Sequence, residues 1–243
     1  MRAAPAGYEG LAVGRAEAVA VPDVTPLLRE VLATGTLYDF ARVHRDARAL
    51  AGRQPAYAVP APGAAGHMVV RHNRHGGLFA ALTGDRFLYP TRAPHELAIS
   101  TRLTAAGVPT PEILAYVIYR AGPFATSDVA TRLVAPSRDL SAVLAANDAP
   151  ARSAALDMAA TLVARLSRAG ARHHDLNAKN VLVGDVAYVL DVDRVKFGWT
   201  PEDALAHNLA RLDRSLRKRR ERFGEMIADD EIALLARRAA QRM

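Results

Sequence analysis

The sequence predicts an α+β fold in which a small antiparallel β-rich N-terminal lobe precedes a reduced helical C-terminal lobe, and three observations carry that reading. Short apolar runs at Ala56–Val59 and Met68–Arg71 are divided by Pro60, Pro62, Gly63 and Gly66, as in a β-hairpin. Beyond Pro136 the apolar spacing lengthens from that of strands to that of helices. Within the helical part, Val181–Val183 and Tyr188–Leu190 flank Gly184-Asp185, a strong turn signal, and read as a second hairpin. The expectation is one domain over 1–243, with about 1–133 forming the N-terminal segment and small lobe and about 134–243 the helical large lobe.

Taken in order, residues 1 to about 35 read as a mixed segment broken by Pro22 and Pro26, with one short helix over Pro26–Leu32. From about 36 to 120 mostly strands and turns are expected. The exception is a helix over Ala93–Ala106, with Pro94 in its first turn, Leu97, Ile99 and Leu103 within it and Gly107 as its stop. Leu114–Tyr119 and Val129–Val134 read as strands, being rich in β-branched and aromatic residues. Helices follow over Asp139–Ala145 and Ala151–Ala169, the second ended by Gly170. Thr200-Pro201-Glu202-Asp203 opens another, with a capping hydroxyl, a first-turn proline and acidic groups suited to the helix dipole. Leu205, Leu209, Leu212 and Leu216 mark its buried face.

Bulk properties bound the function. At 243 residues, half of them apolar, the chain is long enough to bury its own core. Its net charge of +7 favours an anionic partner: nucleotide, nucleic acid or an acidic membrane surface. Cysteine is absent, which excludes disulfides, thiolate chemistry and cysteine-held zinc. Neither a signal-peptide pattern nor a run of about 20 apolar residues is found, so a cytoplasmic protein is expected, with peripheral attachment to a membrane left open.

The chemistry is concentrated in His173-His174-Asp175-Leu176-Asn177-Ala178-Lys179-Asn180, followed by Asp191 in Val189-Leu190-Asp191-Val192-Asp193. Phosphoryl transfer needs magnesium on the phosphates and a carboxylate that orients the attacking hydroxyl. Asp175 could face the acceptor while Asn180, and Asp191 from the far strand of the second hairpin, hold the metal. A purely conformational reading also exists: Asp175 and Asn180 would brace a turn, and Asp191 and Asp193 would merely close a strand. An Asp-x4-Asn pair alone points to that second reading. The preceding helix, the His two residues before Asp175, the flanking strands and the aspartate at the strand end together point to the first.

On these residues the chain resembles the protein-kinase-like superfamily and, most closely, the bacterial lipopolysaccharide kinases that act on 3-deoxy-D-manno-octulosonic acid (Kdo). The resemblance covers nearly the whole chain. It is also carried by Val70-Arg71-His72-Asn73-Arg74-His75-Gly76-Gly77-Leu78 and Leu190-Asp191-Val192-Asp193-Arg194. It implies a protein-kinase-like bilobal fold, ATP and Mg2+ as cofactors, Asp175 as catalytic base, and Asn180 and Asp191 as magnesium ligands. Glu96 matches the helix carboxylate that steadies a phosphate-binding cation. Arg71 stands where most protein kinases place lysine, and its planar fork grips phosphate differently from a point charge. Lys179 joins the cofactor-binding candidates. So does Gly52, because a Gly-x-Gly-x-x-Gly loop is missing; Gly63 and Gly66 are alternatives, although turns need glycine for conformational reasons alone. His174 replaces the arginine of regulated protein kinases, so control by a phosphorylated loop is not expected.

Only 52 residues follow Asp191, which points to a small or lipid-linked acceptor rather than a peptide. The resemblance implies transfer of the ATP γ-phosphate to a Kdo hydroxyl in the lipid A inner core, at the cytoplasmic face of the inner membrane. Open alternatives are a kinase of heptose or an aminoglycoside-like molecule, a nucleotide-binding pseudokinase, and, on charge alone, a nucleic-acid binder. The basic run Arg211, Arg214, Arg217, Lys218, Arg219, Arg220 and Arg222 reads as a wet helix face that could meet acidic lipid. Nucleic acid is not expected as a partner, since no aromatic residues interleave the run. The histidines at 72, 75, 173 and 174 lack a convincing zinc ligand set.

Overall fold

The computed structural model describes residues 4–50, 55–73, 87–88, 91–224 and 227–243. They fall into two compact units, Met1–Ala98 with Glu112–Leu133, and Ile99–Pro111 with Val134–Met243.

The first unit is built on an eight-stranded antiparallel sheet. Its elements are β1 (Glu9–Val13), β2 (Ala16–Ala20), α1 (Thr25–Thr34), α2 (Leu37–Val43), β3 (Arg48–Leu50), β4 (Ala56–Pro60), β5 (His67–Asn73), β6 (Phe87–Leu88), the first half of α3 (Ala93–Ala105), β7 (Ile113–Ala121) and β8 (Phe124–Arg132). The strand order is β1-β2-β7-β8-β5-β4-β3, with β6 pairing on β8. The hairpin expected around Gly63 and Gly66 forms, with Ala56 opposite Arg71 and Val59 opposite Met68. Both glycines have positive φ, 64° and 67°, a requirement of that turn.

The N-terminal segment differs from expectation. Residues 9–20 form a hairpin, because β2 finds a partner in β7 that its alanine-rich sequence does not announce. Residues 37–43, expected as strand or turn, form α2, whose N-terminus is capped by Thr36 Oγ1 accepting from Asp39 N at 3.0 Å. Strand alternation then sorts the side chains. Met68 and Val70 face the core that α1 and α2 cover through Leu28, Leu32 and Leu37. Val19, Ile113 and Val129 face the other way and pack on Ala93 and Leu97 of α3.

The second unit takes the remainder of α3 and then β9 (Arg138–Asp139), α4 (Leu140–Leu144), α5 (Ala149–Arg168), β10 (Ala171–His173), β11 (Val181–Val183), β12 (Ala187–Val189), β13 (Val195–Phe197), α6 (Pro201–Phe223) and α7 (Asp229–Gln241). Asp139, Asp148 and Thr200 cap α4, α5 and α6, each accepting from a backbone N–H three residues on. The long helix α5 is the centre of the core: Leu156, Leu162, Val163 and Leu166 pack with Leu103 and Val108 and with Leu212 and Leu216 of α6. Leu205 and Leu209, expected to be buried, are half-buried against this core. The second hairpin forms as β11 and β12, Val181 opposite Val189, and β9 adds a third strand. Separately, β10 pairs with β13, Ala171 opposite Phe197. Among the described residues no helix is long and apolar enough to cross a membrane.

Candidate functional site

In the second unit, the residues from 173 to 194 are held by a buried polar scaffold. His173 is fully buried on β10. Its amide donates to Asn208 Oδ1 of α6 at 3.0 Å, and Asn208 Nδ2 donates to the Ala171 carbonyl at 2.9 Å. The His173 ring faces the Leu190 carbonyl with Nε2 at 2.9 Å, while Asp175 N donates to Nδ1 at 3.1 Å. Those partners fix the neutral Nε2–H tautomer. Burial holds the imidazole below its ordinary pKa, against the pull of the Leu190 carbonyl and of Asp191, Asp175 and Asp193. One side chain thereby ties the start of the 175–180 loop to the end of β12.

The loop is an Asx-type turn made by Asn177, whose Oδ1 accepts from Lys179 N at 3.0 Å and Asn180 N at 3.2 Å. Asn180 is buried; its Nδ2 donates to the Asp175 carbonyl at 2.9 Å, and its own carbonyl accepts from Leu190 N at 2.9 Å. With the amide nitrogen so engaged, Oδ1 is the atom left to face a cation. The Asp175 carboxylate is exposed and receives Arg211 of α6 at 3.1 Å on Oδ1. Lys179 is exposed. Asp191 follows β12 with φ 52° and ψ 47°, and it is the one described non-glycine residue with positive φ. Left-handed backbone at an aspartate costs free energy that surrounding structure must sustain, and such residues gather at functional sites. Here Arg194 N closes onto the Asp191 carbonyl at 3.0 Å, and His174 N onto the Arg194 carbonyl at 3.0 Å.

The donor set suits magnesium. The amide oxygen of Asn180 and the carboxylate of Asp191 are hard donors of the kind that could supply the one or two protein contacts of a phosphate-bound Mg2+. Among the described residues no group of three or more His, Asp or Glu is placed to hold a metal by itself.

In the first unit, β5 turns Arg71 toward α3, where it forms an ion pair with Glu96. Glu96 is buried, and Asn73, two residues along the strand, accepts from Arg71 Nη1 at 2.8 Å. Asn73 Nδ2 in turn donates to Ser127 Oγ at 3.3 Å. The guanidinium is thus braced from two sides. On the opposite face His72 meets the buried Asp128 carboxylate at 2.6 Å, and Asp128 also accepts from Tyr119 Oη at 2.8 Å and Tyr38 N at 2.9 Å. Gly52, and residues 74–78 of the basic glycine-paired segment, lie outside the described residues.

Sequence reasoning brought out Asp175, Asn180 and Asp191 but missed Asn177, Asn208, Ser215 and Arg211. Ser215 Oγ accepts from Ala178 N at 3.1 Å. Asn208 had a readable signal: it stands four residues before Leu212, on the leucine-marked side of the helix, where a polar residue needs a partner. Arg211 was read only as part of a basic run.

A family model described as the lipopolysaccharide kinase (Kdo/WaaP) family matches residues 45–234. A 3-deoxy-D-manno-octulosonic acid kinase of Photobacterium damsela subsp. piscicida is 31% identical over 170 residues, covering 67% of this chain and 70% of that protein. The Vibrio vulnificus (strain CMCP6) protein of the same name is 30% identical, covering 62% and 65%. That of Xanthomonas campestris pv. campestris (strain B100) is 33% identical, covering 70% and 68%. The matches thus span about two thirds of the relatives' length. Among solved structures, WaaP in complex with acyl carrier protein shares the fold, with a TM-score of 0.51 at 17% identity over 93% of this chain and 98% of that one.

Proposed function

We propose that this chain, which belongs to the lipopolysaccharide kinase (Kdo/WaaP) family and with it to the phosphotransferases, transfers the γ-phosphate of ATP to a Kdo hydroxyl of the lipid A inner core. The observation that supports the reading is the His173 tie, which joins the 175–180 loop, with its exposed Asp175 carboxylate and buried Asn180, to the end of β12 just before Asp191. Asp175 orients the acceptor hydroxyl and takes its proton as the bond to phosphorus forms; Arg211 fixes one carboxylate oxygen and leaves the other for that contact. Asn180 and Asp191 hold magnesium, which would bridge the phosphate oxygens and offset their charge. Arg71, braced by Glu96 and Asn73, grips phosphate through its fork, and Lys179 adds a second cation. The names of the relatives, each a Kdo kinase, support the acceptor.

The chain acts as one protein-kinase-like domain of two lobes at the cytoplasmic face of the inner membrane. Arg214, Lys218 and Arg222 recur every four residues along the exposed side of α6, beside an exposed Phe223, and suit a surface of acidic lipid. The test is transfer of label from [γ-32P]ATP, with magnesium, to Kdo-lipid A by the unaltered chain and by Asp175→Asn. Label on the acceptor, lost by at least about a hundredfold in the variant, is expected. Equal transfer by Asp175→Asn overturns the base assignment, and label on another sugar alone overturns the acceptor.

A further inference from the structure

The paired strands β10 and β13 and the facing side of α6 carry a cluster that the roles above, that of Arg211 aside, leave unused. Arg172 of β10 stands directly opposite Lys196 of β13, and like charges so paired destabilise a sheet unless something offsets them. His174, the residue after β10, lies edge-on to the same Trp199 ring that Arg172 meets, its centroid 6.1 Å away. From α6, His207 brings its ring centroid to 5.2 Å from that of His174, while Arg211 approaches from one helical turn further on. The Arg172 guanidinium lies over the Trp199 ring at 4.6 Å. Its Nε, and His207 Nε2, are buried atoms without a hydrogen-bond partner among the described residues. The nearby carboxylates sit at the margins: Asp203 reaches Arg172 at 3.7 Å, beyond hydrogen-bond range, and Asp175 is engaged by Arg211. Desolvation, and then the neighbouring cations, hold His174 below its ordinary pKa; His207 is lowered likewise, with His174 among the causes. Positive charge is therefore in surplus here.

Position says what the surplus is for. His173 and His174 point to opposite sides of the strand end. The former serves Leu190 and the Asn180–Asp191 side, whereas the latter faces Trp199 and His207. The cluster is thus not the magnesium site, yet it adjoins Asp175 in sequence and through Arg211. We propose that Arg172, His174, Lys196, His207 and Arg211 form an acceptor-recognition site that binds an oxyanion carried by the acceptor, a sugar carboxylate or a lipid-borne phosphate, next to the hydroxyl that Asp175 orients. The inference rests on the kinase reading and names what that site selects.

The test compares steady-state kinetics of the full chain, Lys196→Gln and Arg172→Gln on Kdo-lipid A, with Arg45→Gln as the charge control, since Arg45 is 90% exposed at its side chain. Loss of one charged contact is expected to raise the acceptor KM about tenfold and to leave the KM for ATP within about twofold. Lys196 is exposed, so its variant keeps the test valid even if Arg172→Gln fails to fold. An acceptor KM unchanged in Lys196→Gln overturns the proposal. Two acceptor arms separate the sources: the methyl ester of the Kdo carboxylate, and dephosphorylated Kdo-lipid A. The modification that raises KM in the native chain but not further in Lys196→Gln identifies the oxyanion, and neither doing so overturns the site. If the native chain transfers nothing to Kdo-lipid A, the function reading fails separately. The cluster is then judged by the His174 and His207 imidazole NMR signals during titration with free Kdo and, separately, with a sugar phosphate. A saturable shift with either supports it; no shift with either, or a shift that inorganic phosphate reproduces equally, as an adventitious ion only, overturns it.

Discussion

Asn208→Leu tests the scaffold beneath the loop. Asn208 is wholly buried on α6, its Oδ1 accepting from His173 N and its Nδ2 donating to the Ala171 carbonyl, at 3.0 and 2.9 Å. Leucine is of similar size, so the cavity term is small, but both backbone groups lose the side chain that satisfies them. Each buried group so orphaned costs about 1–3 kcal/mol, or roughly 2–6 kcal/mol together. At about 2–4 °C per kcal/mol for a chain of this length, a fall in Tm of about 10 °C is expected by circular dichroism. The same bond sets where His173 holds Asp175 N, so transfer assayed well below the lowered Tm should lose kcat by more than it changes the KM for ATP. A Tm within about 2 °C of the native chain, with kcat unaltered, would refute the claim that this amide organises the loop.

Three further outcomes follow from the geometry. Arg71→Lys keeps the charge but loses the fork shared between Glu96 and Asn73, so the KM for ATP should rise about tenfold; Arg71→Met removes one charged partner from the buried Glu96 carboxylate and should also lower stability in urea melts, by about 1–3 kcal/mol. An unchanged KM for ATP in both variants would remove Arg71 from phosphate binding. Gly170→Ala places a methyl 2.6 Å from the Trp199 carbonyl oxygen at a residue with φ 62°, and should cost about 2 kcal/mol or more in thermal melts. His173 has its folded pKa depressed, so above an unfolded value of about 6.5 both states are neutral and its contribution is fully present. As pH falls below that value the unfolded chain takes up the proton first and stability is lost. Tm should therefore drop between pH 7.5 and 5.5 more steeply in the native chain than in His173→Asn.

What could be read from sequence was what is encoded locally. Thr200-Pro201 opening α6, Gly170 closing α5 and Gly184-Asp185 turning β11 into β12 each fix a backbone conformation by their own chemistry, and all lie where expected. The hairpin of β1 and β2 did not show itself because Ala16–Ala20 has little strand preference of its own; pairing to β7 decides it. The strands β9, β10 and β13 span two or three residues, too few for a periodic signal. In the site, Asp175, Asn180 and Asp191 stand at fixed spacing within one supersecondary unit and were legible together. Asn208, Arg211 and Ser215 reach the loop only because α6 packs beside β10, a tertiary fact that spacing within the loop does not contain.

The left-handed backbone at Asp191 narrows what evolution or an experimenter can do at that position. Only glycine, asparagine and aspartate enter this conformation readily, and asparagine and glycine are each a single base change from aspartate. Asparagine would keep the shape and an oxygen ligand while deleting the charge; glycine would keep the shape alone; alanine would alter shape and chemistry at once. The pair Asp191→Asn and Asp191→Gly therefore separates what the carboxylate does from what the bend does, and an alanine scan, the usual first choice, would confuse the two.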